Sequence, residues 1–491
     1  AGYAGDLVPG AALRTPTAFF GTCGDDFDDM GQEILEWQYR CMWDYTREPW
    51  FPAVRMLGYW MKGTTWGAAG WVGGDPDWES AYRKIFRTAA FMRQIGGDTY
   101  HRDWWWWDRA GDWNGPDFRS ANEYLTKHGM GLLIYAFLYT VDAESSVAKA
   151  HPDWLANPNT LDQSMPEVVD YELEVLDRFH RQWGTFQWRN DSGPLAPRDG
   201  DDTVLLAQEQ GFMEVLRRFL DAHPDCAFQG VNGGGMALNW EYLKYGSGFQ
   251  FTDGQSKDIS NYYASYLFPP DKINDMPDSW DPNRYDPATW RRLLCANIDM
   301  TGDTFDAAKL EGLRLLLDIY HYLQHKDVVG RWVRVYHPRI EGDLETMYLQ
   351  RMNWDRTRGI VITKHRIEGD VHIRPKGLLA DTDYEVSYQE DERVFTLSGA
   401  NLMVEGLTLE SPAPGELIYL NLTDHPGNRR DTTPPTVPSA ARAVHGRNMG
   451  VPGVEVSWQP ASDETWLSHY LVSRDGQIVD RVAKGCFYFD H

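Results

Sequence analysis

Carboxylate side chains stand next to aromatic residues at three points in the first part of the chain. Asp103 opens a run of four tryptophans, Trp104–Trp107, and Asp191 lies three residues after Trp188. Asp253 ends an aromatic segment and precedes a glycine. In an apolar setting a carboxyl group has a raised pKa and can act as a general acid, while a second carboxylate acts as base or nucleophile. The three aspartates are therefore candidates for acid–base chemistry, although an Asp before Gly also occurs in ordinary turns.

The aromatic content indicates what such a site would bind. The chain has 22 Trp and 25 Tyr among its 491 residues. The face of an indole ring suits the C–H face of a sugar, and its N–H remains a hydrogen-bond donor. Side chains alternate along a strand, so four consecutive tryptophans cannot all point inward. We expect Trp104, Trp105 and Trp188 to stack on a sugar; the alternative is an aromatic-rich core.

Two arginines and an amide accompany the aspartates. Arg102 directly precedes Asp103, and Arg189 and Asn190 directly precede Asp191. A guanidinium group binds carboxylate or sulfate groups in bidentate fashion. These residues therefore predict contacts with polar or anionic groups of a substrate.

A glycine run marks another candidate contact. Asn232 is followed by three glycines, with Gly234 in the middle. Glycines let the backbone approach a ligand closely or turn sharply. Neither a following Lys nor the GxGxxG spacing of a nucleotide site is present. We expect Asn232 and Gly234 to contact the substrate.

Charge and cysteine usage exclude several classes of function. The formal net charge is −25, which disfavours nucleic acid and anionic membrane surfaces as partners. No apolar run approaches the length of a membrane span, and the first residues lack a signal-peptide pattern. The five cysteines show no CxxC spacing, so no metal and no cofactor is predicted; Cys23 and Cys41 are the pair best placed for a disulfide.

Eight strand candidates precede residue 326, most of them separated by helical patterns or long connections. They cover residues 53–60, 99–107, 130–138, 185–188, 227–231, 249–252, 264–268 and 294–300. Strand–helix alternation indicates parallel pairing, and eight units indicate a (β/α)8 TIM barrel; an open doubly wound sheet is the alternative. In a barrel of this kind, chemistry takes place at the carboxyl ends of the strands.

The period changes from helical to two after about residue 326. We therefore divide the chain into a lead segment (1–50), the catalytic barrel (51–325), an antiparallel β-sandwich domain (326–430) and a final β module (431–491). The last unit follows a Pro/Thr linker and resembles a fibronectin type III module that lacks its last strands. Such modules often accompany extracellular bacterial glycosidases, which predicts an extracellular or periplasmic protein.

Several phrases, in the same order, resemble the catalytic domain of melibiase-type α-galactosidases over about residues 51–410. They lie at 103–105, 111–113, 128–130, 151–154, 223–225, 233–235, 251–253, 298–301 and 375–378. The resemblance implies a barrel glycosidase in which Asp253 occupies the position of the acid/base. It also implies an oligo- or polysaccharide as the partner.

The chain departs from that family where the family's chemistry is concentrated. Arg189 stands where the family has its nucleophilic aspartate, and Arg102 replaces the first of two paired aspartates. Gly230 and Met236 replace the Cys and Arg that flank the family's glycine element. A retaining mechanism needs a carboxylate nucleophile, and an arginine cannot serve as one.

Three explanations remain open from the sequence. Asp191 or Asp103 acts as nucleophile or as the base of an inverting attack, the arginines bind an anionic substituent, or the site only binds. We expect hydrolysis of an α-linked, galactoside-like glycan, either unmodified or carrying a charged or other modification, with Asp253 protonating the leaving oxygen. A lyase acting on uronate glycans and a non-catalytic glycan-binding protein are the alternatives.

Overall fold

The computed structural model describes most of the chain. The described residues are 9–10, 12, 18, 20–24, 26–42, 54–57, 78–103, 106–115, 117–191, 204–231, 240–251, 257–275, 289–301, 307–341, 348–363, 369–412, 415–427, 431–448 and 451–490.

Eight parallel strands close into a barrel in sequence order, with the last strand paired to the first. They are β1 (Val54–Leu57), β2 (Thr99–Arg102), β3 (Gly131–Tyr135), β4 (Gln187–Asn190), β5 (Ala227–Gly230), β6 (Gly248–Gln250), β7 (Ile273–Asp275) and β8 (Asn297–Thr301). The expected TIM-like α/β domain is confirmed.

Helices flank the strands and run back between them. They are α2 (Trp78–Ile95), α3 (Arg119–Lys127), α4 (Ser146–Ala150), α5 (Pro166–Trp183), α6 (Val204–Ala222), α7 (Trp240–Tyr245), α8 (Lys257–Ala264) and α9 (Ala307–His325), after an N-terminal α1 (Phe27–Trp37). A π-helical turn (Gln38–Met42), a short hairpin (Leu155–Asn157 with Thr160–Leu161) and 3₁₀ turns at Pro152–Trp154, Pro270–Lys272 and Thr289–Cys295 complete this part.

Helix α5 shows how the sequence sets these elements. Pro166 occupies the first turn, where its missing N–H costs nothing, and Gly184 ends the helix with a φ of 82°. Val169, Leu176 and Phe179 lie on the buried face that packs against the barrel. The helix is therefore held by its apolar stripe and stopped by the glycine.

The seventh strand lies elsewhere than expected. Residues 264–268 were expected to form it, but they contain the end of α8 and a turn in which the Phe268 N–H donates to Ala264 O. The strand is Ile273–Asp275 instead. A short apolar run has no period that separates strand from helix, which is why this prediction was wrong.

The C-terminal part is rich in antiparallel sheet, as expected. A six-stranded sheet has the order β9-β11-β12-β17-β14-β15, and a three-stranded sheet has the order β10-β13-β16. These strands are β9 (Val333–Tyr336), β10 (Arg339–Glu341), β11 (Tyr348–Asn353), β12 (Gly359–Thr363), β13 (Val371–Arg374), β14 (Asp383–Tyr388), β15 (Val394–Ser398), β16 (Leu407–Leu409) and β17 (Leu417–Leu420), with helix α10 (Gly399–Val404) between β15 and β16.

The last unit consists of two small antiparallel sheets. One has the order β18-β19-β22, and the other pairs β20 with β21. The strands are β18 (Ser439–Asn448), β19 (Val451–Gln459), β20 (Tyr470–Arg474), β21 (Gln477–Val482) and β22 (Phe487–Asp490). The assignment to fibronectin type III stays a prediction.

Two expectations about composition can be compared with the structure. Cys23 and Cys41 are both free, exposed thiols and do not form the disulfide considered above. Among the described helices, none is long and apolar enough to cross a membrane.

Candidate active site

The candidate site lies at the carboxyl ends of the barrel strands. Asp103 follows β2 directly and Asp191 follows β4, so the parallel strands bring them to the same end. Their side chains are 14% and 20% exposed, and solvent therefore reaches both. Asp191 Oδ2 lies 3.6 Å from Arg189 Nη2, and Asp103 Oδ2 lies 3.4 Å from His101 Nε2.

Arg189 points into the barrel and is held by two glutamines. Its Nη1 donates to Gln229 Oε1 on β5 at 3.0 Å, and its Nη2 donates to Gln250 Oε1 on β6 at 3.2 Å. Strand β6 is not a neighbour of β4, so the second bond crosses the barrel interior. The guanidinium is thereby fixed in a position that leaves only 5% of the residue exposed.

Three carboxylates compensate the buried charge of Arg189. Burial opposes that charge, but Asp191, Asp103 and Asp299 together raise the pKa of Arg189 above its usual value. Asp299 belongs to β8 and is 2% exposed. Among the described residues, Arg189 is therefore a permanent cation surrounded by three acidic side chains that compensate its charge.

Tyr135 closes the network on the β3 side. Burial, together with Asp191 and Asp103, raises the pKa of Tyr135 well above its usual value, so it stays a neutral donor. Its hydroxyl donates to the backbone oxygen of Asp191 at 3.3 Å. This bond helps to fix the residue that follows β4.

Trp188 does not lie where a sugar could stack on it. The side chain alternates with Arg189 and points away from the barrel interior, and the residue is fully buried. Its indole N–H donates to Ala136 O at 2.7 Å, and its ring contacts Phe228 and Phe212 at centroid distances of 5.1 and 5.9 Å. Trp188 is a core residue between strands and helices, and the prediction that it stacks on a sugar is wrong because the ring has no exposed face.

Arg102 and Asn190 are also buried next to the site rather than open to it. Arg102 is 6% exposed and alternates with His101, so it lies on the Tyr100 side of β2. Burial raises the pKa of Tyr100 to about 12 against the opposing charge of Arg102. Asn190 is fully buried, and its backbone oxygen accepts from the Val231 N–H at 2.9 Å. The predicted substrate contacts of both residues lack support from these positions.

The four tryptophans divide between described and undescribed residues. Trp106 is fully buried and donates to Tyr135 O at 2.6 Å, while Trp107 lies nearly parallel to the Tyr135 ring at 6.0 Å. These two rings belong to the core, as the alternative reading expected. Five predicted site residues lie outside the described residues: Trp104, Trp105, Asn232, Gly234 and Asp253.

Four polar residues of the network around Arg189 were not predicted as site residues from the sequence. They are Tyr135, Gln229, Gln250 and Asp299. A signal was present, because each lies in or directly at the end of a short strand whose neighbours are mostly apolar. A polar side chain repeated at that place in several strands indicates a polar barrel interior.

A separate cavity of about 530 Å³ lies at the other end of the barrel, near the start of β8 and the end of α9. Asn297, Tyr320, Trp332 and Trp354 are among its lining residues. Chemistry in parallel barrels takes place at the carboxyl ends of the strands, so we place the candidate site at the mouth and not in this cavity.

The fold resembles known glycosidases, while no match was found in sequence. No family model and no curated protein matches the chain. A GH36 α-galactosidase from Geobacillus stearothermophilus is similar in structure, with a TM-score of 0.65 and 17% identity over 80% of this chain and 59% of that enzyme. The α-galactosidase from Lactobacillus brevis gives 0.66 and 15% over 80% and 58%.

A noncanonic maltogenic α-amylase from Thermotoga neapolitana is a more distant neighbour. Its TM-score is 0.52 at 11% identity, over 75% of this chain and 98% of the amylase. The chain spans about three fifths of the length of the α-galactosidases. At these identities the comparisons show a fold shared with GH36 α-galactosidases, and the activity has to be argued from the site.

Proposed function

We propose that the protein is a glycoside hydrolase that cleaves an α-linked, galactoside-like glycan. The observation that carries the proposal is the pair of solvent-accessible carboxylates, Asp103 and Asp191, at the mouth of a closed parallel barrel. Barrels of the same fold include GH36 α-galactosidases. Glycoside hydrolysis needs two carboxyl groups on opposite sides of the scissile bond, and Asp103 and Asp191 are two candidates for the base or nucleophile.

In this proposal Asp253 is the general acid and Asp191 is its partner. The resemblance in sequence assigns Asp253, and the ion pair with Arg189 favours Asp191 in its charged form. A charged carboxylate can activate a water molecule for an inverting attack or act as a nucleophile. Asp103, beside His101, is the second candidate for this role.

The substrate is proposed to be neutral at the position of Arg189. Its charge is compensated by three carboxylates, and its Nη1 and Nη2 each donate to a glutamine, Gln229 and Gln250 respectively. An anionic substituent at this position would be repelled by the three aspartates that surround the guanidinium. The electrostatics therefore favour a neutral sugar over a sulfated sugar or a uronate.

The first substrates to test follow from the structural neighbours. Structures of the Geobacillus enzyme contain raffinose or stachyose. We would measure sugar release from both, from nitrophenyl α-galactoside, and from sulfated and uronate glycans, with wild type and with Asp253→Asn, Asp191→Asn and Asp103→Asn.

Removal of a working acid or base should lower the rate by about 10²–10⁴-fold. Asp221→Asn is the matched control, because Asp221 forms an ion pair with Arg217 on α6 and lies far from the mouth. Full activity of Asp253→Asn on a neutral α-galactoside would refute the acid assignment. NMR spectroscopy identifies the anomer that is released first, and this anomer distinguishes inversion from retention.

The alternative functions have distinct outcomes in the same experiment. A product with unsaturated-sugar absorbance from uronate glycans alone would indicate a lyase. Binding without turnover across the whole panel would indicate a glycan-binding protein. The arginine at the nucleophile position is the observation that keeps this last candidate in the test.

A further inference from the structure

Side chains with nitrogen, oxygen and sulfur donors converge at the end of the barrel where the strands begin. This end lies opposite the candidate active site. His180 lies in the last turn of α5, and Asp225 and Cys226 directly precede β5. Helices run antiparallel to the strands, so the end of α5 and the start of β5 meet at this face. The donors come from places 45 residues apart in sequence.

The donor atoms lie close together. His180 Nε2 is 3.2 Å from Asp225 Oδ2, and one ligand atom each of His180, Asp225 and Cys226 lies within 4.8 Å of the others. The Cys226 thiol is free, and the residue is 4% exposed. The His180 and Asp225 side chains are 25% and 45% exposed, which leaves a path from solvent.

Neighbouring side chains hold these donors in place. The Thr185 hydroxyl donates to Asp225 Oδ2. The His223 ring packs against the His180 ring at a centroid distance of 4.0 Å, and His223 Nε2 lies 2.7 Å from Asp177 Oδ1. The Cys226 N–H donates to His223 O at 3.0 Å, which fixes the turn that carries the thiol.

We propose that His180, Asp225 and Cys226 form a zinc site. Imidazole, carboxylate and thiolate are the ligand types that zinc takes in proteins, with bonds of about 2.0–2.3 Å. Two ligands of a tetrahedral ion at these bond lengths are about 3.3 Å apart, close to the separation of His180 Nε2 and Asp225 Oδ2. The Cys226 sulfur lies within 4.8 Å of both other ligand atoms and would be the third ligand.

Zinc binding at this site needs no other reactant, because water takes up the proton that the thiol releases. The zinc ion takes the thiolate of Cys226, the thiol proton is released to water, and the imidazole of His180 binds through its neutral Nε2. Water occupies the fourth position, because Asp225 lies at the solvent boundary. The Thr185 hydroxyl then plays the usual part of an outer partner that orients a ligating carboxylate.

The proposal is independent of the proposed glycosidase activity. The site lies at the amino ends of β4 and β5, whereas Asp103 and Asp191 lie at the carboxyl ends of their strands. A zinc site at this position links α5 to the start of β5. Its presence or absence can be measured on the whole chain without a substrate.

The experiment uses the full chain after chelation and dialysis. Zn²⁺ is titrated by calorimetry, and Co²⁺ is titrated by absorbance, since cobalt bound to a thiolate has a near-ultraviolet charge-transfer band. We expect one equivalent of each metal and the band in wild type. Cys226→Ser should lose the band and at least about tenfold in affinity, and Thr185→Val should lose about 10–100-fold in affinity.

Cys486→Ser is the matched control, because Cys486 is a free thiol outside the cluster, and it should keep both the band and the affinity. Circular dichroism checks that each variant is folded. If Cys226→Ser is misfolded, His180→Gln decides, since a partly exposed side chain tolerates the change. Equal binding by wild type and the folded variant, or no binding by wild type, would overturn the proposal.

Discussion

At the scale of single residues, Arg189 determines the character of the barrel mouth. It is buried in the barrel interior and surrounded by Asp191, Asp103 and Asp299. Its removal takes a buried cation away from these carboxylates, of which Asp299 is only 2% exposed. Breaking a buried ion pair from one side typically costs about 3–5 kcal/mol.

We therefore predict that Arg189→Met lowers the free energy of unfolding by about 3–5 kcal/mol at neutral pH. Urea denaturation followed by tryptophan fluorescence measures it. The control is Arg217→Met, in which the lost ion pairs with Glu214 and Asp221 are on the surface, and little change is expected. Similar losses in both variants would show that the carboxylates do not depend on Arg189.

At the scale of one element, α5 carries a buried acid that makes stability depend on pH. Glu172 is fully buried, and burial raises its pKa to about 8 against the hydrogen bond from Gln163 Nε2. The unfolded chain releases this proton near pH 4.5, the ordinary value for the group. Between these values the folded state binds one more proton than the unfolded state, so stability falls as pH rises.

The variant Glu172→Gln keeps the shape of the side chain and removes the titration. We predict that its free energy of unfolding, relative to wild type, increases by about 1.4 kcal/mol for each pH unit within this window. Denaturation curves at several pH values measure the slope. The control is Glu174→Gln, an exposed position on the same helix, which should leave the slope as in wild type. A flat difference for Glu172→Gln would mean that Glu172 is ionised in the folded protein.

At the scale of the whole molecule, charged pairs join the last β unit to the end of the barrel where the strands begin. Asp480 on β21 forms a buried ion pair with Arg93 on α2 and also accepts from Gln94 Nε2 at 2.9 Å. Lys484 Nζ lies 2.5 Å from Asp98 Oδ1. These contacts join a unit with few buried residues to the large core of the barrel.

We predict that Asp480→Asn costs about 3–5 kcal/mol, because it leaves the Arg93 charge buried without its counterion. Loss of docking should also increase limited proteolysis within the linker that begins at residue 431. Denaturation and timed digestion measure both effects. Asp475→Asn, in an exposed turn with a φ of 53° that asparagine also adopts, is the control. Unchanged digestion of Asp480→Asn would show that the unit is held by other contacts.

The sequence by itself determined the barrel and the end of it that carries the acids. Alternating strand and helix patterns predicted seven of the eight strands near their places, and parallel strands necessarily bring Asp103 and Asp191 to one end. These features follow from local periodicity, which is written in neighbouring residues.

Only the tertiary structure decided which side chains face the interior. The strand period makes Trp188 and Arg189 alternate, but it does not say which of them points inward, and the expectation for Trp188 was wrong. The hydrogen-bond partners of Arg189 are 40 and 61 residues away, on β5 and β6. His180 and Cys226 likewise come together only in the folded chain, at the end of the barrel where the strands begin. Burial and charge compensation depend on such distant contacts, and no local pattern encodes them.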